Sequence, residues 1–327
     1  MDLPKVFISE PINIKGMEML KGKVRLISAP DTTKETALNL IGDADAAILR
    51  ATTIFDEDVI RKGSHLKAIV RTGIGVDNVD LKVAAENGIF VCNTPGTNDE
   101  TVAEHVLALI LAFAKQIILM DRAVRVENWG KRFSPRQFDI KNKKLGVIGY
   151  GKIGMATARF CKCLGMQVIA YDPFIPQTGL NITMTDRIEE IFIESDFVSL
   201  HCPSTPLTHK FINEKYLNLM KETAYLINTS RGDLIDEHAL INALSENRIA
   251  GAALDVFKKE PLTADNPLLS FSNVIVSPHV AGSTKESNER IAIAAAQAII
   301  DTFNGKTPSN ICNMEYFSEA QKKEIFA

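Results

Sequence analysis

The chain has one tryptophan and five cysteines in 327 residues, and no uninterrupted apolar run long enough to cross a bilayer. Each shortage excludes something. The cysteines, Cys92, Cys161, Cys163, Cys202 and Cys312, are odd in number, scattered and without metal-ligand spacing. Neither a disulfide framework nor a metal site is expected, and reduced thiols in a cytoplasmic protein are. Cys161 and Cys163 lie two apart on a predicted helix and so point to different faces. The most apolar window, Val106 to Met120, is broken by Lys115 and Gln116 and reads as a buried helix rather than a membrane span. The start, Met1-Asp2-Leu3-Pro4-Lys5, lacks the basic n-region and apolar core of a signal peptide. Net charge is only −3, which gives no electrostatic reason to expect nucleic acid or an anionic membrane surface as partner. No repeats or low-complexity segments interrupt the pattern.

What remains is ordinary globular composition, 46% hydrophobic and 24% charged, in a length that predicts two domains. Through residue 92, short apolar strands (5–9, 24–27, 46–49, 66–70 and 89–92) alternate with helical stretches (13–20, 33–41, 56–62 and 81–86). Short connections between them predict a parallel α/β unit. Gly73 and Gly75 follow the fourth strand, where open parallel sheets place their ligands. The turn-rich stretch Asn93-Thr94-Pro95-Gly96-Thr97 marks a domain boundary. Asn98 or Asp99 then caps one long helix to about Val126, spanning roughly 40 Å. Such a rod can cross between domains or build a subunit interface. The loop 127–137 is polar, with Lys131, Arg132 and Arg136. Its single Trp129 is either an anchor for a neighbouring surface or packed on its own domain.

The stretch from Lys144 to Asp172 is the most informative. Leu145 to Ile148 reads as a buried strand. Gly149-Tyr150-Gly151-Lys152-Ile153-Gly154 follows at once and fits G-x-G-x-x-G. A helix runs from about Ile153 to Leu164, and a second strand, Gln167 to Ala170, leads to Asp172. Gly149 allows the tight turn, Gly151 lets a pyrophosphate approach the backbone, and Gly154 lets the helix pack on the strand. The helix start offers open N–H groups and a positive dipole end to the anion. Asp172 is placed to accept both ribose hydroxyls of an adenosine, and Pro173 and Phe174 bring no cation for a 2′-phosphate. The order of these parts predicts a dinucleotide site that prefers NAD to NADP.

Further strands at 197–200, 224–228, 249–254 and 274–276, with helices at 188–193, 216–220 and 237–246, continue a second parallel sheet. A last helix, 284–303, carries an Ala-rich face, and the tail beyond Gly305 is expected to return to the first unit. Polar side chains recur just after strands: Asp172, His201, Arg231, Asp255 and His279. In a parallel sheet these ends share one edge. With NAD bound, hydride transfer is the natural chemistry. A histidine then moves the proton of the alcohol, a carboxylate beside it favours the imidazolium, and an arginine holds a carboxylate-bearing substrate. Placement at strand ends narrows the histidine to His201 or His279 and does not choose between them.

Several runs resemble one known family, the D-isomer-specific 2-hydroxyacid dehydrogenases, over nearly the full length. They are Arg71 to Asp80, Asn93 to Gly96, Ala103-Glu104-His105, Gly149 to Gly154 with Asp172, Asn228 to Glu237, Ala250 to Phe257, Glu260-Pro261 and Ser277-Pro278-His279. The resemblance is nearest the branch acting on 3-phosphoglycerate. It implies a Rossmann NAD-binding domain, 98–292, inserted in a flavodoxin-like parallel α/β substrate domain, 1–97 and 293–327. It implies catalysis by Arg231, Glu260 and His279, with His279 as acid/base, Glu260 its partner and Arg231 on the substrate carboxylate. It implies NAD contacts from Gly149, Gly151, Lys152, Ile153, Gly154, Asp172, Pro173, His201, Cys202, Pro203, Thr208, Thr229, Ser230, Asp255, Ala281 and Gly282. Asp255 either faces the nicotinamide carboxamide or merely caps a loop. Substrate contacts are implied at Arg50, Arg71, Gly73, Ile74, Gly75 and Asn98, with no metal.

The expected reaction interconverts a D-2-hydroxy acid and its 2-keto acid. 3-Phosphoglycerate, the serine-biosynthetic substrate, leads; glyoxylate, hydroxypyruvate and D-lactate are the alternatives. Two departures bear on that choice: Arg50-Ala51 stands where Arg-Ser is common, and Ile74 where a small residue is frequent. Arg50, Arg71, Lys131 and Arg132 either form a phosphate pocket or are surface charges. A homodimer through the NAD-binding domain is implied, and the chain's end near 327 implies no C-terminal regulatory domain. An NADH-sensing binding protein on the same fold is the rival from outside enzymology.

Overall fold

A computed structural model describes residues 2–133, 137–175 and 182–325. It divides into two compact units, 1–98 with 283–327, and 99–282. In the first unit the chain runs β1 (Lys5–Ile8), α1 (Ile14–Leu20), β2 (Arg25–Ser28), α2 (Lys34–Ile41), β3 (Ala46–Leu49), α3 (Glu57–Lys62), β4 (Ala68–Arg71), α4 (Leu81–Glu86) and β5 (Phe90–Cys92). Each of the four helices begins at a residue whose side-chain oxygen accepts a first-turn N–H: Asn13, Thr33, Asp56 and Asp80. The strands form one parallel sheet in the order β2-β1-β3-β4-β5. β3 is buried along its whole length, as a central strand covered on both faces must be. The strand order reverses between β1 and β3, so the carboxyl ends of these strands carry this unit's polar groups.

The second unit opens with α5 (Asp99–Lys115) and α6 (Ile117–Arg125). The single long helix expected from the sequence is therefore broken. Gln116 adopts φ 49°, ψ 38°, in the left-handed region, and the two helices meet at a bend of 58°. One left-handed residue interrupts the N–H to C=O ladder that a straight helix needs. Lys115 marks the same point, because its ammonium turns aside to Phe138 O at 3.0 Å and Asp139 Oδ1 at 2.6 Å. The straight segment is thus about 25 Å, not 40 Å. Among the described residues no single helix is long and apolar enough to cross a membrane.

There follow β6 (Lys144–Ile148), α7 (Lys152–Cys163), β7 (Gln167–Tyr171), β8 (Thr183–Met184), α8 (Ile188–Glu194), β9 (Phe197–Leu200), α9 (Glu214–Leu219), β10 (Tyr225–Asn228), α10 (Glu237–Ser245), β11 (Gly251–Leu254) and β12 (Val274–Val276). They build a seven-stranded parallel sheet in the order β12-β11-β10-β9-β6-β7-β8. β8, two residues at the edge, has no sequence signal of its own. Alternation along the strands divides the core in two. Ile148, Leu226 and Leu254 face one side, with Phe192, Leu217 and Leu240 from α8, α9 and α10. Val147, Ile227 and Ala253 face the other, under Val106, Ile110 and Phe113 of α5. There Phe113 stacks on Tyr225 with ring centroids 4.4 Å apart, a pair that contributes about 0.5–1.5 kcal/mol beyond burial. The helix α7 buries Cys161 and leaves Cys163 exposed.

After residue 282 the chain rejoins the first unit through α11 (Lys285–Phe303) and ends in α12 (Glu319–Ile325). The boundary expected at residue 292 falls inside α11. That helix is one continuous element, started by a Thr284–Ser287 capping box, and its buried Ala295, Ala296 and Ile299 pack with Val6, Ile48 and Val70 of the first sheet. The tail is tied to β5. Ile311 bridges Cys92, and the buried Asn313 accepts from Val91 N at 3.0 Å and donates to Ile89 O at 2.9 Å.

Candidate active site

The nucleotide-binding end of the second unit is built from backbone. Gly149 turns off β6 at φ 90°, and a Cβ there would lie 2.7 Å from Cys202 N and from the His201 carbonyl carbon. Only glycine fits. Gly151 is the N-cap of α7 with no side-chain cap, and a Cβ there would meet no atom within 4 Å. The helix start is left with open N–H groups beside empty space, the arrangement that holds a pyrophosphate. Lys152 and Ile153 form the first turn behind it. Gly154 packs directly on Gly149 and Val147. Asp172 Oδ2 accepts from Tyr150 N at 2.8 Å and Oδ1 from Phe174 N at 2.9 Å. A carboxylate has about four acceptor sites, so two remain for a ribose diol. Pro173 and Phe174 beside it are exposed. These residues fit a bound NAD.

The loop after β9 lies against Gly149. His201 donates its N–H to Ile148 O at 2.7 Å, and its Nε2 meets Ser199 Oγ at 2.9 Å. Although part of the residue reaches the surface, desolvation of the ring pushes its pKa down to about 4. A neutral imidazole tied to a serine is a poor acid near neutral pH, and this separates His201 from His279. Burial likewise pushes the Cys202 thiol up to about 12. Pro203 O accepts from Thr208 Oγ1 at 2.7 Å, which closes the loop on itself. After β10, Ser230 Oγ donates to Cys202 O at 2.6 Å, while Thr229 Oγ1 is buried without a partner among the described residues.

Three further side chains converge. Arg231 leaves β10 in extended conformation, its carbonyl accepting from Asn228 Nδ2 at 2.7 Å and its Nη1 donating to Ser230 O at 2.7 Å. Gly232 lets this loop press onto the Phe257 backbone. Phe257 N in turn donates to Glu260 Oε1 at 2.9 Å, and Glu260 Oε2 lies 2.8 Å from His279 Nδ1. Partial burial raises the Glu260 pKa, but the His279 hydrogen bond, the Phe257 N–H and the charges of His279 and Arg231 together outweigh it. The carboxyl is held below its ordinary value. The peptide bond to Pro261 is cis.

His279 itself stands at φ 54°. Its conformation is set by Asp255, which is 0% exposed. Asp255 O accepts from His279 N at 2.8 Å, Oδ1 from Ser277 Oγ at 2.6 Å and Val280 N at 2.9 Å, and Oδ2 from Ala281 N at 2.8 Å. Asp255 thus clamps the loop 277–281, and one acceptor site on Oδ2 remains. Gly282 ends the unit just beyond. His105 of α5 lies behind this clamp, its Nε2 3.2 Å from Ser277 Oγ. Its role is not readable from sequence. The signals are an imidazole ahead of the apolar stretch of α5 and its place in the run Ala103-Glu104-His105, neither of which states a role.

In the first unit, Arg50 follows β3 and is held by its backbone: its N–H donates to Ser9 Oγ at 3.1 Å and its carbonyl accepts from Asn78 Nδ2 at 2.9 Å. Arg71 Nη1 donates to Thr72 O at 2.8 Å, and the guanidinium covers Gly73, which stands at φ 142°. Gly73 N donates to Thr94 Oγ1 at 2.9 Å, and the Ile74 carbonyl accepts from Asn93 Nδ2 at 2.8 Å. Among the described residues the N–H groups of Ile74 and Gly75 have no backbone acceptor. Asn98 Oδ1 is buried without a partner among the same residues. Lys131 and Arg132 sit in a 3₁₀ turn of the second unit, Arg132 over the Phe133 ring at 4.5 Å. Arg136 lies outside the described residues. Trp129 is 63% exposed, so it is not packed into its own domain.

Known proteins resemble the chain over most of its length. Residues 107–281 match the model of the D-isomer specific 2-hydroxyacid dehydrogenase, NAD binding domain. The D-3-phosphoglycerate dehydrogenase of Methanocaldococcus jannaschii is 38% identical over 314 residues, covering 95% of this chain. The chain spans only 59% of that relative's length. The glyoxylate reductase of Korarchaeum cryptofilum is 36% identical, covering 95% of this chain and 96% of that one. A crystal structure of a Thermus thermophilus protein superposes with a TM-score of 0.88 at 32% identity, covering 94% of this chain and 99% of its own.

Proposed function

Because the chain belongs to the D-isomer specific 2-hydroxyacid dehydrogenases, we propose that it interconverts a D-2-hydroxy acid and the corresponding 2-keto acid with NAD. The observation that carries this is the His279–Glu260 pair at 2.8 Å with Arg231 beside it, in the unit that also holds the glycine-rich turn. NAD, when bound, supplies the two-electron acceptor. Glu260 accepts from Nδ1–H of His279, which leaves Nε2 as the nitrogen that takes the proton from the substrate hydroxyl or returns it to the carbonyl oxygen. Arg231 holds the substrate carboxylate and polarises the adjacent carbonyl. Gly149, Gly151 and the first turn of α7 hold the pyrophosphate, and Asp172 holds the ribose. The loop residues His201 to Pro203, Thr208, Thr229 and Ser230 line the cofactor, and Asp255 keeps one acceptor site for its carboxamide.

For the substrate, we favour 3-phosphoglycerate and 3-phosphohydroxypyruvate, the first oxidation of serine biosynthesis. Supporting this reading are Arg50 and Arg71 at strand ends of the first unit and the relative of 38% identity named for that activity. The open N–H groups of Ile74 and Gly75 suit a carboxylate. Glyoxylate or hydroxypyruvate reduction is the second reading, favoured by the 36% relative that matches end to end. A homodimer is supported by an exposed apolar strip on α6 and the turn after it: Val124, Val126, Trp129 and Phe133 are 54%, 73%, 63% and 73% exposed. Five unpaired cysteines suit the cytoplasm.

Steady-state rates at 340 nm with NADH and a panel of 2-keto acids test the proposal. If 3-phosphohydroxypyruvate is no better than glyoxylate, the phosphoglycerate reading fails. If nothing in the panel turns over while NADH binds, the result favours the NADH-sensor reading over the enzyme. The His279→Ala variant is expected to lose turnover and keep its NADH affinity; retained turnover removes His279 from its role.

A further inference from the structure

His105 is not used by the reaction described above, yet it sits directly behind the loop that carries His279. Ser277 Oγ lies 2.6 Å from Asp255 Oδ1 and 3.2 Å from His105 Nε2, and His105 Nε2 is 4.0 Å from the same carboxylate oxygen. A hydroxyl has one proton, and a carboxylate accepts only. Ser277 must therefore donate to Asp255 and accept from His105, which assigns the proton of His105 to Nε2. Asp255 is fully buried, and among the described residues His105 is the one cationic-capable side chain that reaches it. The acceptor sites of Asp255 hold Val280, Ala281 and, through its carbonyl, His279. That last residue stands in a left-handed conformation, which a non-glycine residue keeps only when its surroundings enforce it.

We propose that His105 is a positioning residue for turnover: it donates to Ser277, Ser277 to Asp255, and Asp255 holds the backbone of 279–281 so that the His279 ring stays on Glu260. The chain is long-range in sequence and short in space. If His105 stops donating, Ser277 loses the partner that fixes its rotamer, and the hydroxyl is free to leave Asp255. The buried carboxylate then loses one of its three donors, and the loop relaxes at the residue with the least favoured backbone, His279. The effect falls on the rate more than on cofactor binding, because Gly149, Gly151 and Asp172, which hold the pyrophosphate and ribose, take no part in the chain and Asp255 offers the carboxamide only its one remaining acceptor site.

The proposal rests on the dehydrogenase reading for its kinetic arm only. Three variants serve: His105→Leu, which removes the donor; His105→Gln, which restores an N–H at similar reach; and Ser277→Ala, which cuts the next link. His105→Leu is expected to lower kcat by about tenfold or more with NADH affinity within about twofold, and His105→Gln to recover most of the rate. The Leu/Ala double variant should be no slower than Ser277→Ala alone. Independently of turnover, NMR of imidazole nitrogens in the unmodified chain should show His105 protonated at Nε2. The His279 Cε1–H resonance, assigned by its loss in His279→Ala, should move in the Leu variant and stay in place in the Gln variant. An Nδ1-protonated His105, an unmoved His279 resonance in His105→Leu, or additive losses in the double variant each overturn the proposal. Should the unmodified chain reduce no 2-keto acid, the dehydrogenase reading fails and the NMR arm still decides this one. A misfolded His105→Leu variant leaves the decision to Ser277→Ala, which must move the same resonance, and an unmoved resonance there is refutation.

Discussion

Replacing Glu260 by glutamine changes one atom of the pair on which the chemistry turns, and its consequence can be worked from the geometry. Two effects add. The charge is lost: at 2.8 Å, a unit pair is worth about 1.5 kcal/mol in bulk water and more in a partly dry site. The side chains are 39% and 37% exposed, so the lower figure applies, about tenfold in rate. The second effect is the tautomer. Phe257 N–H donates to Oε1, 2.9 Å away, and so selects the amide oxygen at that position. The amide NH₂ then faces His279 Nδ1, which must become an acceptor, and the ring proton moves to Nε2, where the substrate oxygen needs a base. Undoing this leaves a donor unsatisfied, at about 1–3 kcal/mol. Together the two predict that Glu260→Gln lowers kcat by about 10²- to 10³-fold, with NADH affinity within about twofold. The assay is steady-state turnover at 340 nm with NADH titration by fluorescence. A loss under about tenfold, or a loss confined to KM, refutes the reasoning.

Further outcomes follow from the same geometry. The Glu260 carboxyl is held below its ordinary 4.5, so the pair's stabilisation is fully present above that pH and is lost as pH falls through the lower folded value. The stability difference between the protein and Glu260→Gln, measured by urea unfolding, should therefore be constant near pH 6 and shrink below about pH 4.5; a difference that grows on acidification contradicts this. Gly151→Ala should fold normally, because its Cβ meets nothing, yet weaken NADH binding by about tenfold or more. Gly149→Ala should lose about 1–3 kcal/mol of stability or more, since φ 90° and a 2.7 Å clash both oppose it; equal stability in the two variants contradicts the assignment of their roles. Asp172→Ala should raise the NADH dissociation constant about tenfold or more, and unchanged affinity removes Asp172 from the ribose.

Much was legible because it is local. A helix cap, an alternating strand and the turn from Gly149 to Gly154 depend on neighbours within a few residues, so the pattern states them directly. The α/β alternation, the dinucleotide fingerprint and Asp172 belong to this class, and so do Arg231 and His279 as residue types at strand ends, whereas Glu260, six residues beyond the end of β11, is marked only by the family resemblance. The remainder depends on groups far apart in sequence. The bend at Gln116 is one backbone dihedral that an apolar run does not reveal. His201 and His279 look alike on paper. Desolvation beside Ser199 keeps the first neutral, and Glu260, 19 residues before His279, gives the second its partner. Asp255 at a strand end reads as a cofactor contact or, less readily, as a cap, and its hold on the 277–281 loop is a matter of packing. His105 meets Ser277 across 172 residues. By itself the sequence determined which groups are available and in what local geometry each is offered. Tertiary structure decided which of them are dry, which are paired and which nitrogen carries the proton, because burial and hydrogen-bond partners exist only once the chain has closed on itself.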